Sequence, residues 1–497
     1  MSFRTILILL AVVAAGVQAQ QAFSAGENYT KFRHTLDQVI SGLFKIPSDF
    51  MGGWYNRAAE LGSKIVGKCK VQKYEDADAC RNVSEMIRAR GFGVEEYDVI
   101  TEDGYILNVQ RVINPLVDPV YRAKKRPVLI QPGISTTSVD YVISSLYARP
   151  VPWPPVNQSE AEADADEVFE SAADEDRKHP RSLAMYLANR GYDVYLGNNR
   201  GTVYGQRHVN KTVLNAEFWD FSIDEFGLYD VPAIVAFVRR FTGHDKIAYV
   251  GWSQGAASML GLQSYHPEYA DIIEPFVVMS PAAFLGYIHT KFYKRFFPLF
   301  ARLPYANNGI FFSFLSKYIF NRLGGPTALQ RKLFALAVTY PLFGRDTKGM
   351  DAERIPTYLR FTPSGTSMKN FVHWCQLYVS KRFRRRNMGA AGNRLKYGTD
   401  EPPDYPVSRI RSNSIVFFSA ETDFLGDPED RDLLLSQMTV KPYRWFNVTA
   451  EVPEFSHVSF LYHKKIGTLV NRRVYRVLEE FNRPLAAAAA IVQSSVL

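Results

Sequence analysis

The chain has 497 residues, 46% of them hydrophobic and 22% charged, with a formal net charge of +9. That balance is a globular protein's, three cysteines are far too few for a disulfide scaffold, and after the N-terminus no stretch approaches the ~18 apolar residues of a membrane span. The length allows two or three average domains, or one large α/β domain carrying an inserted unit.

Residues 1–19 read as a signal peptide: a basic start at Arg4, an apolar run from Ile6 to Val17, and small Val17 and Ala19 before the cleavage point. A secretory start, with no helix-turn-helix or RNA-binding sheet signature, argues against the nucleic-acid partner that a positive charge would admit. In that pathway the N-x-S/T triplets at Asn28, Asn82, Asn157, Asn210 and Asn447 are candidate glycosylation sites, each expected at the surface. Cys69 and Cys80 close a short loop and are the expected disulfide, leaving Cys375 over. No C-x-x-C, H-E-x-x-H or acidic calcium loop occurs, so neither a metal nor a cofactor is expected.

Residues 20–90 form an N-terminal extension. Glu95–Thr101 and Tyr105–Val112 alternate in polarity around the turn Glu102-Asp103-Gly104, which predicts a β-hairpin. The run RPVLIQ at 126–131 predicts a buried strand, followed by the loop Pro132-Gly133-Ile134. Pro-rich 150–155 leads into an acidic insertion at about 157–178, expected to be a solvated loop. Helix-like spacing at Ser182–Arg190 and Val231–Arg240 alternates with strand-like Tyr192–Leu196, Lys246–Val250 and Phe276–Met279. Such alternation predicts an α/β fold with a mostly parallel sheet covered on both faces.

The strand at 246–250 runs into Gly251-Trp252-Ser253-Gln254-Gly255, the sharp strand-to-helix turn that exposes a serine nucleophile. Gly251 and Gly255 suit the turn because a Cβ there would collide with the adjoining strand or helix. Between 285 and 408 the pattern becomes aromatic-rich without a clear strand, which predicts a mainly helical cap or lid. The basic run Lys381–Arg386 reads either as a solvated loop or as a patch for anionic lipid. A last strand is expected at Ser414–Ser419, and a closing helix at Thr468–Phe481 precedes a tail, 483–497. The core is thus expected in two parts, 91–284 and 409–482.

Nucleophile turns of this kind take their acid and then their base from later loops. The strand at 414–419 leads to Asp423, with Glu421 and Asp427 as rivals, and beyond it the histidines are His457 and His463. His457, in a loop-like stretch before the closing helix, is the better placed; His463 sits beside Lys464 and Lys465. In this reading Ser253 attacks an ester carbonyl, His457 moves its proton, and Asp423 fixes the tautomer. The oxyanion is expected to meet the amides of Gln254 and Ile134, since Pro132 has no N–H to give.

The motifs EEYDVITEDGYILNVQRV, YDVYLGNNRGTVYGQRH, FWDFSIDEFGLYDVPA, GWSQG, PSGTS, TDFLGDPED and FSHVSF occur in order between about Gly91 and Leu478. In these the chain resembles the acid lipase family, the α/β hydrolases that include gastric and lysosomal acid lipases. The resemblance implies a hydrolase of neutral-lipid esters, triacylglycerols or sterol esters, working at a lipid–water interface under a helical lid, often in acidic surroundings. It implies a secreted or lysosomal protein, with Ser253 as nucleophile, Asp423 as acid and His457 as base. The chain departs from the family at Pro132-Gly133-Ile134, where His-Gly-Leu is usual, at Trp252, where His is usual, and at Ser459, where Asp is usual. An esterase of shorter acyl chains and a lipid-binding protein without turnover are the competing readings; oligomeric state is not legible.

Overall fold

In a computed structural model the described residues are 76–154, 171–301 apart from 214 and 289, and 343–482 apart from 345, 347, 348 and 352. The expected signal peptide, Asn28, Cys69, Asn157 and the tail lie outside them. Among the described residues nine strands form one sheet: β1 (Gly93–Ile100), β2 (Tyr105–Ile113), β3 (Val128–Gln131), β4 (Val194–Leu196), β5 (Arg207–His208), β6 (Ile247–Trp252), β7 (Ile273–Met279), β8 (Ile415–Ser419) and β9 (Arg444–Asn447). Their order is β1-β2-β4-β3-β6-β7-β8-β9, with β5 on β2. The hairpin β1–β2 and the β2–β4 pair are antiparallel, whereas β4, β3, β6, β7, β8 and β9 run parallel.

The parallel strands other than β9 are buried on both faces, so alternate residues feed two cores. Leu129, Tyr249, Phe276 and Phe417 point into one, with α2 (Val231–Thr242) and α3 (Gln254–Tyr265) packed over it. Val128, Val250, Val277 and Phe418 point into the other, under α1 (Leu183–Ala188) and the final helix at 472–482. Helix α2 buries Val231, Ile234, Val235 and Val238, the i, i+3, i+4, i+7 face that an amphipathic helix offers a sheet. Helix α3 is buried from Gln254 to Ser264, and its small residues Gly255, Ala256, Ala257 and Ser258 let it lie close.

The region expected as a cap contributes α4 (Lys291–Ala301) and α5 (Met368–Ser380), which pack on each other. Trp374, Cys375 and Leu377 of α5 join the same buried cluster as α2 and α3. Cys375 is a free, fully buried thiol, and burial pushes its ionisation well above the usual range. Cys80 is disulfide-bonded. Among the described residues no helix is long and apolar enough to cross a membrane.

Three expectations need correction. Ser414–Ser419 is not the last strand: β9 follows it on the sheet edge, short and half-exposed, with Trp445 46% exposed and thus without the apolar run that marks a buried strand. The end of the acidic insertion is not a solvated loop, because Ala172–Lys178 is a helix capped by Ser171. Its Asp176 is buried and accepts from Ser145 Oγ at 2.7 Å and from the amides of Leu146, Tyr147 and Arg181. The basic run is solvated only at its start, where Lys381 and Arg382 are exposed; beyond that it is neither a solvated loop nor an open patch, for Arg384 pairs with Glu401 at 3.0 Å, Arg385 with Asp224 at 3.4 Å and Arg386 with Asp220 at 3.5 Å.

Of the candidate glycosylation sites, Asn82 and Asn210 are exposed, while Asn447 is half-buried with its amide nitrogen donating to Glu421 at 3.1 Å.

Candidate active site

Parallel strands deliver their C-terminal ends to one side of a sheet, where open α/β proteins form their sites. Here the ends of β3, β6, β7 and β8 lie side by side, and the residues following them are Pro132, Ser253, Ser280 and Ala420. Ser253 joins β6 to α3 with φ 54° and ψ −118°, a conformation that costs a non-glycine residue on the order of 1–3 kcal/mol. The surroundings enforce it: the Ser253 amide donates to the Met279 carbonyl and its own carbonyl accepts from Ala257, both at 3.0 Å. Gly255 must lack a side chain, since a Cβ would collide with the carbonyl oxygens of Gln131 and Pro132, the latter 2.7 Å away.

The loop after β3 presses on this turn. A Cβ on Gly133 would lie 2.7 Å from the Trp252 ring and 3.0 Å from Ser253 Cβ, so only glycine permits the approach. Asn199 ties the loop down: its amide nitrogen donates to the carbonyls of Pro132 and Gly133 at 3.2 Å, and its oxygen accepts from Gln131 at 2.6 Å. From the far side of the chain, the Ser364 amide donates to the Ser135 carbonyl at 2.6 Å. Ile134 lies in this loop, partly buried against the core. Gln254 begins α3, where amides have no intrahelical acceptor. Its side-chain oxygen accepts from Asn370 at 3.0 Å and Trp374 at 2.8 Å, both on α5.

His457 Nε2 lies 2.9 Å from Ser253 Oγ, and Nδ1 lies 3.1 and 3.0 Å from the two oxygens of Asp423. Each of the three residues is 1% exposed. Asp423 is held by the amides of Leu425 and Gly426, both donating to Oδ1 at 2.8 Å. The His457 backbone is pinned at both ends, its N–H donating to the Phe343 carbonyl at 3.0 Å and its carbonyl accepting from Trp252 Nε1 at 3.2 Å. The Trp252 ring lies 4.8 Å from the imidazole, and Phe343 stacks on it at 6.4 Å. Burial, and then the nearby Asp423 carboxylate, push the Tyr293 phenol well above its ordinary range.

The rivals are engaged elsewhere. Glu421 pairs with Arg431 at 2.8 Å, and Asp427 caps α6 (Pro428–Gln437) through the Glu429 amide at 3.0 Å. His463 Nδ1 accepts from the Lys465 amide at 3.1 Å, and burial holds its imidazole below the usual histidine range. Ser459 accepts from the Ser456 amide at 2.8 Å and donates to Asp346. Sequence reasoning missed Ser280, which touches both Asp423 and His457, and the α5 pair Asn370 and Trp374; none carries a local motif. An imidazole facing a hydroxyl on one nitrogen and a carboxylate on the other can take the hydroxyl proton and make the oxygen a nucleophile.

Residues 83–145 match the family model for a partial alpha/beta-hydrolase lipase region, and residues 173–431 match the alpha/beta hydrolase fold. Gastric triacylglycerol lipase of Rattus norvegicus is 30% identical over 391 residues, covering 78% of this chain and 88% of that protein. The Homo sapiens gastric triacylglycerol lipase is 31% identical over 386 residues, 77% of this chain and 86% of that protein. Lipase member M of Mus musculus is 30% identical over 411 residues, 81% and 86% of the two chains. With its parallel sheet, its strained serine turn and these relatives along most of its length, the chain belongs to the α/β-hydrolase lipase family that includes the gastric triacylglycerol lipases.

Proposed function

We propose that this chain is a serine lipase that hydrolyses the carboxylic esters of neutral lipids, triacylglycerols or sterol esters, through an acyl-enzyme. The observation that carries the proposal is the unbroken line from Ser253 Oγ to His457 Nε2 at 2.9 Å and from His457 Nδ1 to Asp423 at 3.0 Å. Ser253 Oγ attacks the ester carbonyl while its proton passes to Nε2; the amides of Gln254 and Ile134 receive the oxyanion. The imidazolium then gives that proton to the leaving alcohol, and a water molecule, deprotonated by the same nitrogen, releases the fatty acid. Asp423 stabilises the imidazolium, and loss of one oxyanion donor typically costs about 10²-fold in rate.

The names of the relatives support a triacylglycerol substrate, and α4 and α5 suit a cap that shelters an acyl chain. The N-terminal sequence supports secretion or lysosomal delivery, with sugar on the exposed Asn82 and Asn210. A fluorophosphonate probe is expected to label Ser253, and Ser253→Ala to abolish labelling and lower ester turnover by at least about 10⁴-fold. A folded protein that resists the probe would instead be a lipid carrier. A panel from acetate to long-chain triacylglycerol and cholesteryl oleate separates a lipase from a short-chain esterase.

A further inference from the structure

We propose that Ser280 is a positioning residue for this reaction, a hydroxyl that holds the Asp423 carboxylate against the Nδ1 side of His457. The inference rests on the hydrolase reading above. Ser280 follows β7, is 1% exposed, and its amide donates to the Phe418 carbonyl at 2.8 Å. Its hydroxyl meets Asp423 Oδ2 on one side and His457 Nδ1 at 2.7 Å on the other. That is closer to Nδ1 than either carboxylate oxygen, at 3.0 and 3.1 Å. The backbone there has φ 45°, a region that favours glycine, yet the position holds a serine.

Counting protons shows what the hydroxyl does. Asp423 as an anion only accepts, and its Oδ1 already takes two backbone amides. Ser280 has one proton to donate. If it goes to Asp423 Oδ2, the Ser280 oxygen is left to accept from Nδ1–H, and the Nε2 lone pair faces Ser253. If it goes to Nδ1 instead, the ring proton must sit on Nε2, where it points at Ser253 and the ring can accept nothing. The second arrangement also takes a donor away from a buried carboxylate oxygen, which is costly. The Ser280 proton therefore goes to Asp423 Oδ2, which holds the carboxylate in place and leaves the Ser280 oxygen as a further acceptor for the Nδ1–H that Asp423 fixes. Because Ser280 touches the Nδ1 side of the ring, away from Ser253, its removal should act on turnover and not on substrate binding.

The test compares the full-length protein with Ser280→Ala and Ser280→Gly, using p-nitrophenyl butyrate kinetics, a fluorophosphonate probe and thermal melts. Both variants should fold, lose about tenfold in kcat and keep KM. Glycine also relieves the backbone strain, so it separates the two explanations: a purely conformational role predicts that Ser280→Gly retains full turnover. It also serves if the alanine variant fails to fold. In proton NMR the downfield His457 Nδ1–H resonance should move in either variant. A kcat within twofold of wild type in a folded variant, a change in KM alone, or an unmoved resonance would overturn the role of Ser280. Those outcomes leave wild-type labelling and turnover intact; failure of the wild-type protein itself to be labelled would sink the hydrolase reading instead.

Discussion

A histidine can accept the Ser253 proton only if its Nε2 is bare, and the carboxylate at 423 is what keeps the ring proton on Nδ1. In Asp423→Asn the carbonyl oxygen can still accept the Leu425 and Gly426 amides, so the fold should survive, but the amide nitrogen would donate toward Nδ1 and favour the wrong tautomer. Turnover of a soluble ester should fall about 10⁴-fold while the melting temperature changes by only a few degrees. A variant with more than a tenth of wild-type kcat would contradict this. At this scale chain order and loop context narrowed the choice to residues 253, 423 and 457 with Glu421, Asp427 and His463 as rivals, and the fold brings the first three together while the rivals are held by other partners. Ser280 was not legible, because a serine after a strand has no spacing signature and acquires its partners only when β7 and β8 lie side by side.

The strands that position the site were readable because a parallel strand covered on both faces becomes a short apolar run, as in VLIQ and IVFFS. Edge strand β9 and the helix at Ala172–Lys178 were not, since one is half-exposed and the other owes its place to Asp176 reaching amides about thirty residues earlier in the chain. Helix α6 shows another such link: Asp430 accepts from the Gly286 and Tyr287 amides at 2.9 and 3.0 Å, tying α6 to the segment that leads into α4. Burial, helped by the carboxylates of Asp427 and Glu429, pushes the Asp430 carboxyl up to about 7. The folded protein therefore holds a proton there that the unfolded chain releases near pH 4. The stability this gives is complete below about pH 4 and is lost as pH rises through about 7. Asp430→Asn should remove that dependence, narrowing the difference in unfolding free energy between pH 5 and pH 8 by about 1 kcal/mol or more, as read from denaturant titrations.

For the molecule as a whole, the excess of positive charge is the feature that sequence reading placed least well. Within the run, Arg385 and Arg386 turn onto Asp224 and Asp220 ahead of α2 while Arg384 turns onto Glu401, so part of a basic stretch in the sequence becomes a clamp on the acidic segment before α2. Linear charge density could not show this, because each acidic partner lies at least fifteen residues away along the chain. The same packing surrounds Cys375, whose sulfur sits between Trp374 and Leu377 in the chain and inside the cluster that includes α2 and α3. A reagent such as Ellman's can reach that sulfur only when α5 leaves the buried cluster it shares with α2 and α3. The native protein should thus stay colourless with the dye for hours, and on addition of guanidinium the yellow product should follow the change in tryptophan emission. Prompt colour in buffer alone would mean that the helix detaches by itself. The lone thiol is in effect a built-in timer for how long the whole assembly stays shut.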